Sequence, residues 1–206
     1  MSIAGRLVLI AGAGSASGHA AQAALTQAGA RVIAVGRAMC DLTDEAAVMD
    51  LADSVHATHG RVDGVLHLVG GWRGGGGLAG QTDADYRVLE RSLTALRHVS
   101  RAFWADLSAS TAGRLAVVSS TAVERPLAGG ANYAAVKAAT EAWARAVAQG
   151  FAKDARDAGR ELAAASVIFR VTSLAGREDD LARRFVGLWD HQASALNDTI
   201  IEMGSP

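Results

Sequence analysis

Five short apolar runs recur along this chain, and longer stretches with apolar residues every three or four positions lie between them. The runs are Arg6 to Gly12, Ala30 to Gly36, Val62 to Gly70, Gly113 to Ser120 and Ala164 to Val171. Each is rich in β-branched residues and closed by small ones, the pattern of a strand buried on both faces. Strand–helix alternation with continuous apolar strands implies a parallel sheet covered by helices on both sides. A further run, "DTIIEM", stands near the end as a candidate last strand. With 206 residues, half of them hydrophobic, and no linker or repeat, we expect one doubly wound α/β domain over residues 1–206, with six or seven strands.

The helical stretches follow from periodicity. "GHAAQAALTQAGA" separates the first two strands, and Asp44 opens a stretch in which Val48, Leu51 and Val55 share a face. Tyr86, Leu89, Leu93, Leu96, Phe103 and Leu107 recur at helical spacing, as do Tyr133, Lys137, Thr140, Ala144, Val147 and Phe151. Lys153 to Glu161 reads as a solvated helix end. In Glu178 to Ala195, residues Phe185, Leu188 and Trp189 fall on one face, which suggests a short substrate-side helix, a lid or an oligomer contact.

A net charge of −1 gives no basic face, so nucleic acid and anionic membranes are not expected partners. The single cysteine, Cys40, leaves no internal disulfide and suits a reducing, cytoplasmic setting. The opening residues lack the charged start and cleavage-type end of a leader, and no apolar run reaches membrane-span length. No metal is expected: His56 and His59 are three apart, with no carboxylate–histidine cluster. His67, in an apolar strand, reads as a core histidine.

The first strand runs into "AGAGSASGHA". Ligands of such sheets bind at the carboxyl ends of the strands. Gly12, Gly14 and Gly18 let the chain turn tightly and let a helix amino end approach a phosphate. The spacing is G-x-x-x-A-x-G, with Ala16 in the middle. Far downstream, Tyr133 and Lys137 in "YAAVK" stand four apart, one helical turn. A free phenol has a pKa near ~10, too high for proton transfer at neutral pH, and a neighbouring ammonium favours the phenolate.

The glycine spacing, with Y-x-x-x-K about 120 residues later, resembles the short-chain dehydrogenase/reductase family. The resemblance spans nearly the whole chain and implies a nicotinamide-dependent oxidoreductase acting on a carbonyl or alcohol. It makes Tyr133 the general acid and base, Ser120 the group that holds the substrate oxygen, and Lys137 the partner of both the tyrosine and the ribose. It assigns Gly12, Ser15, Ser17, Gly18, Arg37, Asp41, Leu42, Val69, Gly70, Tyr133, Lys137, Val171 and Thr172 to the cofactor. Asp41 would meet the adenine amino group, and Val171 with Thr172 the carboxamide. Trp72, in "VGGWRGG", is a candidate substrate wall; this stretch and "RVTS" look most like the dihydropteridine reductase branch.

The chain also departs from the family pattern. Ser92 stands where an asparagine usually supports a water chain to the lysine, so the relay is altered. "VGRAMCDLTD" passes almost directly from Gly36 to Asp41 without the usual intervening helix, which should open the adenine pocket. After the second strand comes Arg37 rather than an acid. A guanidinium there pairs with a 2′-phosphate, so NADP(H) is favoured over NAD(H). A small-residue stripe, Ala142, Ala146 and Gly150, points to a homodimer or homotetramer. The alternative function is a catalytically silent nucleotide-binding regulator of the same fold.

Overall fold

The protein is described here by a computed structural model covering residues 2–204. Six strands form one all-parallel sheet: β1 (Leu7–Ala11), β2 (Arg31–Val35), β3 (Gly64–His67), β4 (Arg114–Ser120), β5 (Ala165–Val171) and β6 (Thr199–Met203). Their order is β2-β1-β3-β4-β5-β6. The direction of winding reverses between β1 and β3, so a crevice opens beyond their carboxyl ends. The short passage from Gly36 to Asp41 leaves β2 at the edge of the sheet.

The strand pleat sorts the apolar residues into two cores. Leu7, Leu9 and Ala11 face one side with Val65, Leu115, Val117 and Ile168. That side is covered by α2 (Glu45–His59), α3 (Asp83–Ala102), α4 (Trp104–Ala109) and α5 (Ala131–Asp157). Val8 and Ile10 face the other with Leu66, Ala116, Val118, Val167 and Phe169. There α1 (Ala16–Gln27), α6 (Glu178–Gly187) and α7 (Ala193–Leu196) complete the layer. Local chemistry fixes where the helices begin. Ser15 caps α1, Asp44 caps α2 through the amides of Ala46 and Ala47, and Thr82 caps α3 through that of Asp85. Among the described residues, no helix is long and apolar enough to cross a membrane.

Three expectations are corrected. The periodic stretch ending at Leu107 is two helices, because the chain turns at Phe103, and Tyr86 lies exposed rather than on the apolar face. Phe185, Leu188 and Trp189 are neither lid nor oligomer contact: all are buried in the core. Trp189 donates from Nε1 to the Ala112 carbonyl at 3.0 Å and lies over Gly64, where a Cβ would come within 2.7 Å of its ring. This tryptophan seals the amino end of the sheet, opposite the crevice. Gly150, in the small-residue stripe, is occupied by the chain's own Trp104, whose ring a Cβ there would meet at 2.6 Å. Trp104 also stacks on Phe151, with 4.8 Å between centroids.

Candidate active site

The glycine loop joins β1 to α1 in the least space a backbone allows. Gly12 has φ +92°, and a Cβ there would come within 2.9 Å of the Leu68 carbonyl carbon and the Val69 nitrogen. A side chain would fill the switch-point crevice and strain the turn. At Gly18, a Cβ would lie 2.4 Å from the Ala13 carbonyl oxygen, so α1 starts hard against the loop. Ser15 Oγ accepts from the Gly18 amide at 3.0 Å. No acid occupies the first turn of α1, which leaves its positive end to an anion.

From this loop a cleft of about 540 Å³ extends past β2 and β3 to α3. That volume is in the range of small-molecule and cofactor sites. Gly12, Ser15, Arg37, Asp41, Leu42, Val69 and Gly70 line it, as expected. Ser17 and Gly18 do not: both are buried where α1 meets the sheet. The glycine cradle, the open helix end and the cleft size together fit a dinucleotide. Arg37 is exposed at the mouth and makes no salt bridge among the described residues. Asp41 is already engaged: it accepts from the Thr43 amide at 3.0 Å and hydroxyl at 2.7 Å, and pairs with Arg91 at 3.2 Å. The Thr43 hydrogen bonds, with help from Arg91, hold its carboxyl below the usual range. Arg73 and Arg91 also line the cleft and were not anticipated, since nothing in the local sequence ties either to Gly12.

The reactive end lies beside Gly70. Ser120 ends β4, in register with Val171 of β5, and Thr172 follows exposed. Lys137 is 8% exposed, and a Cβ on Gly70 would sit 3.7 Å from its Nζ. The ammonium donates to the Val118 carbonyl at 2.7 Å and lies 5.8 Å from the centre of the Tyr133 ring. Burial lowers the Lys137 pKa to about 8, with Glu141 opposing the fall. Burial pushes the half-buried Tyr133 phenol upward, and the nearby Ser120 hydroxyl offsets part of that rise. The expected lowering of this phenol by Lys137 is therefore corrected. The ammonium is itself desolvated, and its one short bond goes to a carbonyl rather than to the phenol.

Trp72 is 61% exposed, on the rim rather than in the cleft lining. Its loop is tied to the turn before Tyr133. Gly75 donates to the Gly129 carbonyl at 2.7 Å, and Gln81 Nε2 donates to the carbonyls of Gly75, Gly77 and Gly129. Ser92 donates back within its own helix, to the Leu89 carbonyl at 2.7 Å. His67 Nε2 instead reaches the Ser92 carbonyl at 3.0 Å.

The sequence family described as Enoyl-(Acyl carrier protein) reductase matches residues 1–156. A curated relative, 3-oxoacyl-[acyl-carrier-protein] reductase FabG of Salmonella typhimurium, is 24% identical over 201 residues, covering 89% of this chain and 78% of that protein. A short-chain type dehydrogenase/reductase from Mycobacterium ulcerans superposes with a TM-score of 0.83 at 20% identity, covering 98% of this chain and 90% of that one. A gluconate 5-dehydrogenase from Burkholderia cenocepacia, solved in complex with NADP and tartrate, gives a TM-score of 0.78 at 19% identity, covering 98% and 94%. These structures share the fold, and the matched family covers most of the chain, from the glycine loop through Tyr133 and Lys137. The chain belongs to the short-chain dehydrogenase/reductase family.

Proposed function

We propose that this protein is an NAD(P)-dependent oxidoreductase that reduces a carbonyl or oxidises the matching alcohol. The observation that carries the reading is the meeting of Ser120, Tyr133 and Lys137, with Lys137 bordering Gly70, which lines the cleft that starts at Gly12. The nicotinamide, when bound, supplies or takes the hydride. Tyr133 Oη gives a proton to the substrate oxygen in reduction and takes it back in oxidation. Ser120 donates a hydrogen bond to that oxygen. Lys137 holds the ribose with an N–H that the Val118 carbonyl leaves free. Gly12, Ser15 and the start of α1 hold the pyrophosphate, Leu42 and Asp41 flank the adenine, and Val171 with Thr172 meet the carboxamide. Trp72 borders the substrate entrance. The reductase name of the Salmonella relative and the NADP in the Burkholderia structure agree with this assignment.

Within it we favour NADP(H), because Arg37 makes no salt bridge among the described residues and no acid stands at the end of β2 to repel a 2′-phosphate. We further propose a homo-oligomer of the cytoplasm, joined through α3 and α5. A largely apolar hollow there is lined by Ser100, Trp104, Trp143, Ala146 and Val147. A monomer by light scattering at micromolar concentration would remove this part.

The competing reading, a silent nucleotide-binding regulator, draws on Ser92 in place of the family's asparagine, its hydroxyl proton committed to Leu89. A screen of aldehydes, ketones and cyclic imines, following loss of reduced-nicotinamide absorbance with NADPH and NADH, separates the two. Turnover abolished by Tyr133→Phe is expected. Tight cofactor binding with no turnover across the panel would favour the regulator.

A further inference from the structure

Below the cleft floor, His67 ends β3 and is 3% exposed. Its Nε2 is bonded to the Ser92 carbonyl, and a carbonyl only accepts. Nε2 therefore carries the proton, and Nδ1 presents a bare lone pair. Among the described residues that lone pair has no partner and no access to solvent. A buried acceptor left unpaired costs about 1–3 kcal/mol. A phenyl ring would fill similar space without that penalty, so packing alone does not explain an imidazole here.

The complementary surplus is on Lys137. An ammonium has three donors. One goes to Val118, and Gly70, three residues beyond His67, borders the same Nζ. Burial first, and the Lys137 charge second, keep the His67 imidazole neutral. Ser92 Oγ spends its one proton on the Leu89 carbonyl, so it has none to give the His67 lone pair. The imidazole standing on the Ser92 carbonyl brings a second polar atom into this region from a different element.

We propose that His67 is a positioning residue for the proton-transfer site: its Nδ1 lone pair receives an N–H of Lys137 through one bridging water, which fixes the direction of the ammonium. The proposal rests on the oxidoreductase reading for its consequence in turnover. His67 neither gains nor loses a proton during the reaction. It remains the neutral Nε2–H form throughout, and the proton delivered to substrate comes from Tyr133.

The first test does not use turnover. The 15N shift of His67 Nδ1 is measured in the wild-type protein and in Lys137→Met. The expected result is a move toward the value of an unbonded lone pair in the variant. An unchanged shift overturns the proposal. The second test is kinetic. His67→Phe should lower kcat about tenfold, less than the ~10²-fold or more supplied by a proton-transferring group, with KM for the carbonyl substrate within twofold. His67→Gln can donate to the Ser92 carbonyl and offer its amide oxygen, so it should recover to within threefold of wild type. Equal kcat in the Phe and Gln variants overturns the proposal. A His67 shift that responds to Lys137→Met, in a protein whose Tyr133→Phe variant still turns over, would retire the Tyr133 assignment and leave the His67–Lys137 pair standing.

Discussion

Arg114 and Lys137 are both buried cations, held near opposite ends of β4, and they are treated very differently. Arg114 donates to four carbonyls: Gly113 at 2.8 Å, Ala163 at 3.0 Å, Leu188 at 3.2 Å and His191 at 2.9 Å. The Trp189 ring lies 5.9 Å away. Burial, with Arg6 nearby, lowers its pKa to about 10, so it stays charged at neutral pH. Lys137 has one protein acceptor at hydrogen-bond distance, Val118. A buried charge with four of its five donors bonded to carbonyls joins loops into a scaffold. One whose donors are left over is held ready for groups that arrive with a ligand. The same sheet thus has a finished end and an end that a ligand completes.

The sharpest way to break this contrast is at the phenol beside Lys137. Tyr133→Phe should lower kcat by about 10²–10⁴-fold, the range of general acid–base catalysis, while the NADPH dissociation constant stays within threefold. Turnover above a tenth of wild type would remove Tyr133 from the chemistry. Next, the two cations should trade effects. Lys137→Met should lose turnover about a hundredfold and weaken NADPH binding about tenfold, yet melt no lower than wild type, because the cost of burying the ammonium goes with it. Arg114→Met should leave kcat of the folded protein within twofold and lower unfolding free energy by about 3 kcal/mol, because it strands several carbonyls. If Arg114→Met damaged turnover more than stability, the division into scaffold and working end would fail.

Titration sharpens the comparison further. The Lys137 pKa is about 8 when folded and 10.5 in its reference state, so between those values the unfolded chain binds more protons. Unfolding free energy should therefore rise with pH across that window, by up to about 3 kcal/mol from this group. Chemical denaturation at a series of pH values should show the rise in wild type and not in Lys137→Met. His67 carries the same sign at lower pH. Its folded pKa is about 3 against a reference of 6.5, so stability should fall as pH drops from 6.5 toward 3, and His67→Phe should flatten that slope.

The smallest expected effect concerns cofactor choice. Gly36→Asp is sterically open, since a Cβ there meets nothing closer than the Gly14 nitrogen at 3.9 Å. It should reverse an NADPH preference by about tenfold in the ratio of dissociation constants, through repulsion of the 2′-phosphate. Tighter NADH binding by wild type would show that Arg37 does not read the phosphate.

Much of this architecture was legible in local pattern. Unbroken apolar runs announced a sheet buried on both faces, and glycine spacing after the first strand located the crevice. The four-residue step from Tyr133 to Lys137 put both on one face of α5. What was not legible depends on what covers a face. Phe185, Leu188 and Trp189 form an apolar stripe in either reading, and only the fold shows that Gly64 and Ala112 receive it. Arg91 reaches Asp41 across 50 positions, and His67 reaches the Ser92 carbonyl across 25. The acidity of Tyr133 was misjudged because adjacency to an ammonium is visible in sequence, whereas desolvation and the ammonium's commitment to Val118 are not.

β2 is an edge strand with β1 on one side only, yet its last carbonyl, on Val35, receives the amides of Gly12 at 2.9 Å and Ala13 at 3.0 Å. The glycine turn therefore hangs on one of the sheet's two outermost strands. Edges are where native structure opens first, and such opening is read by amide hydrogen exchange. Whenever β2 frays, the turn loses its two anchors and the cradle loses its shape. A dinucleotide lying across Gly36 and Gly12 would hold strand and turn together, so ligand affinity and the local opening of β2 are two measures of one equilibrium. Slower exchange at the edge and tighter binding would rise together.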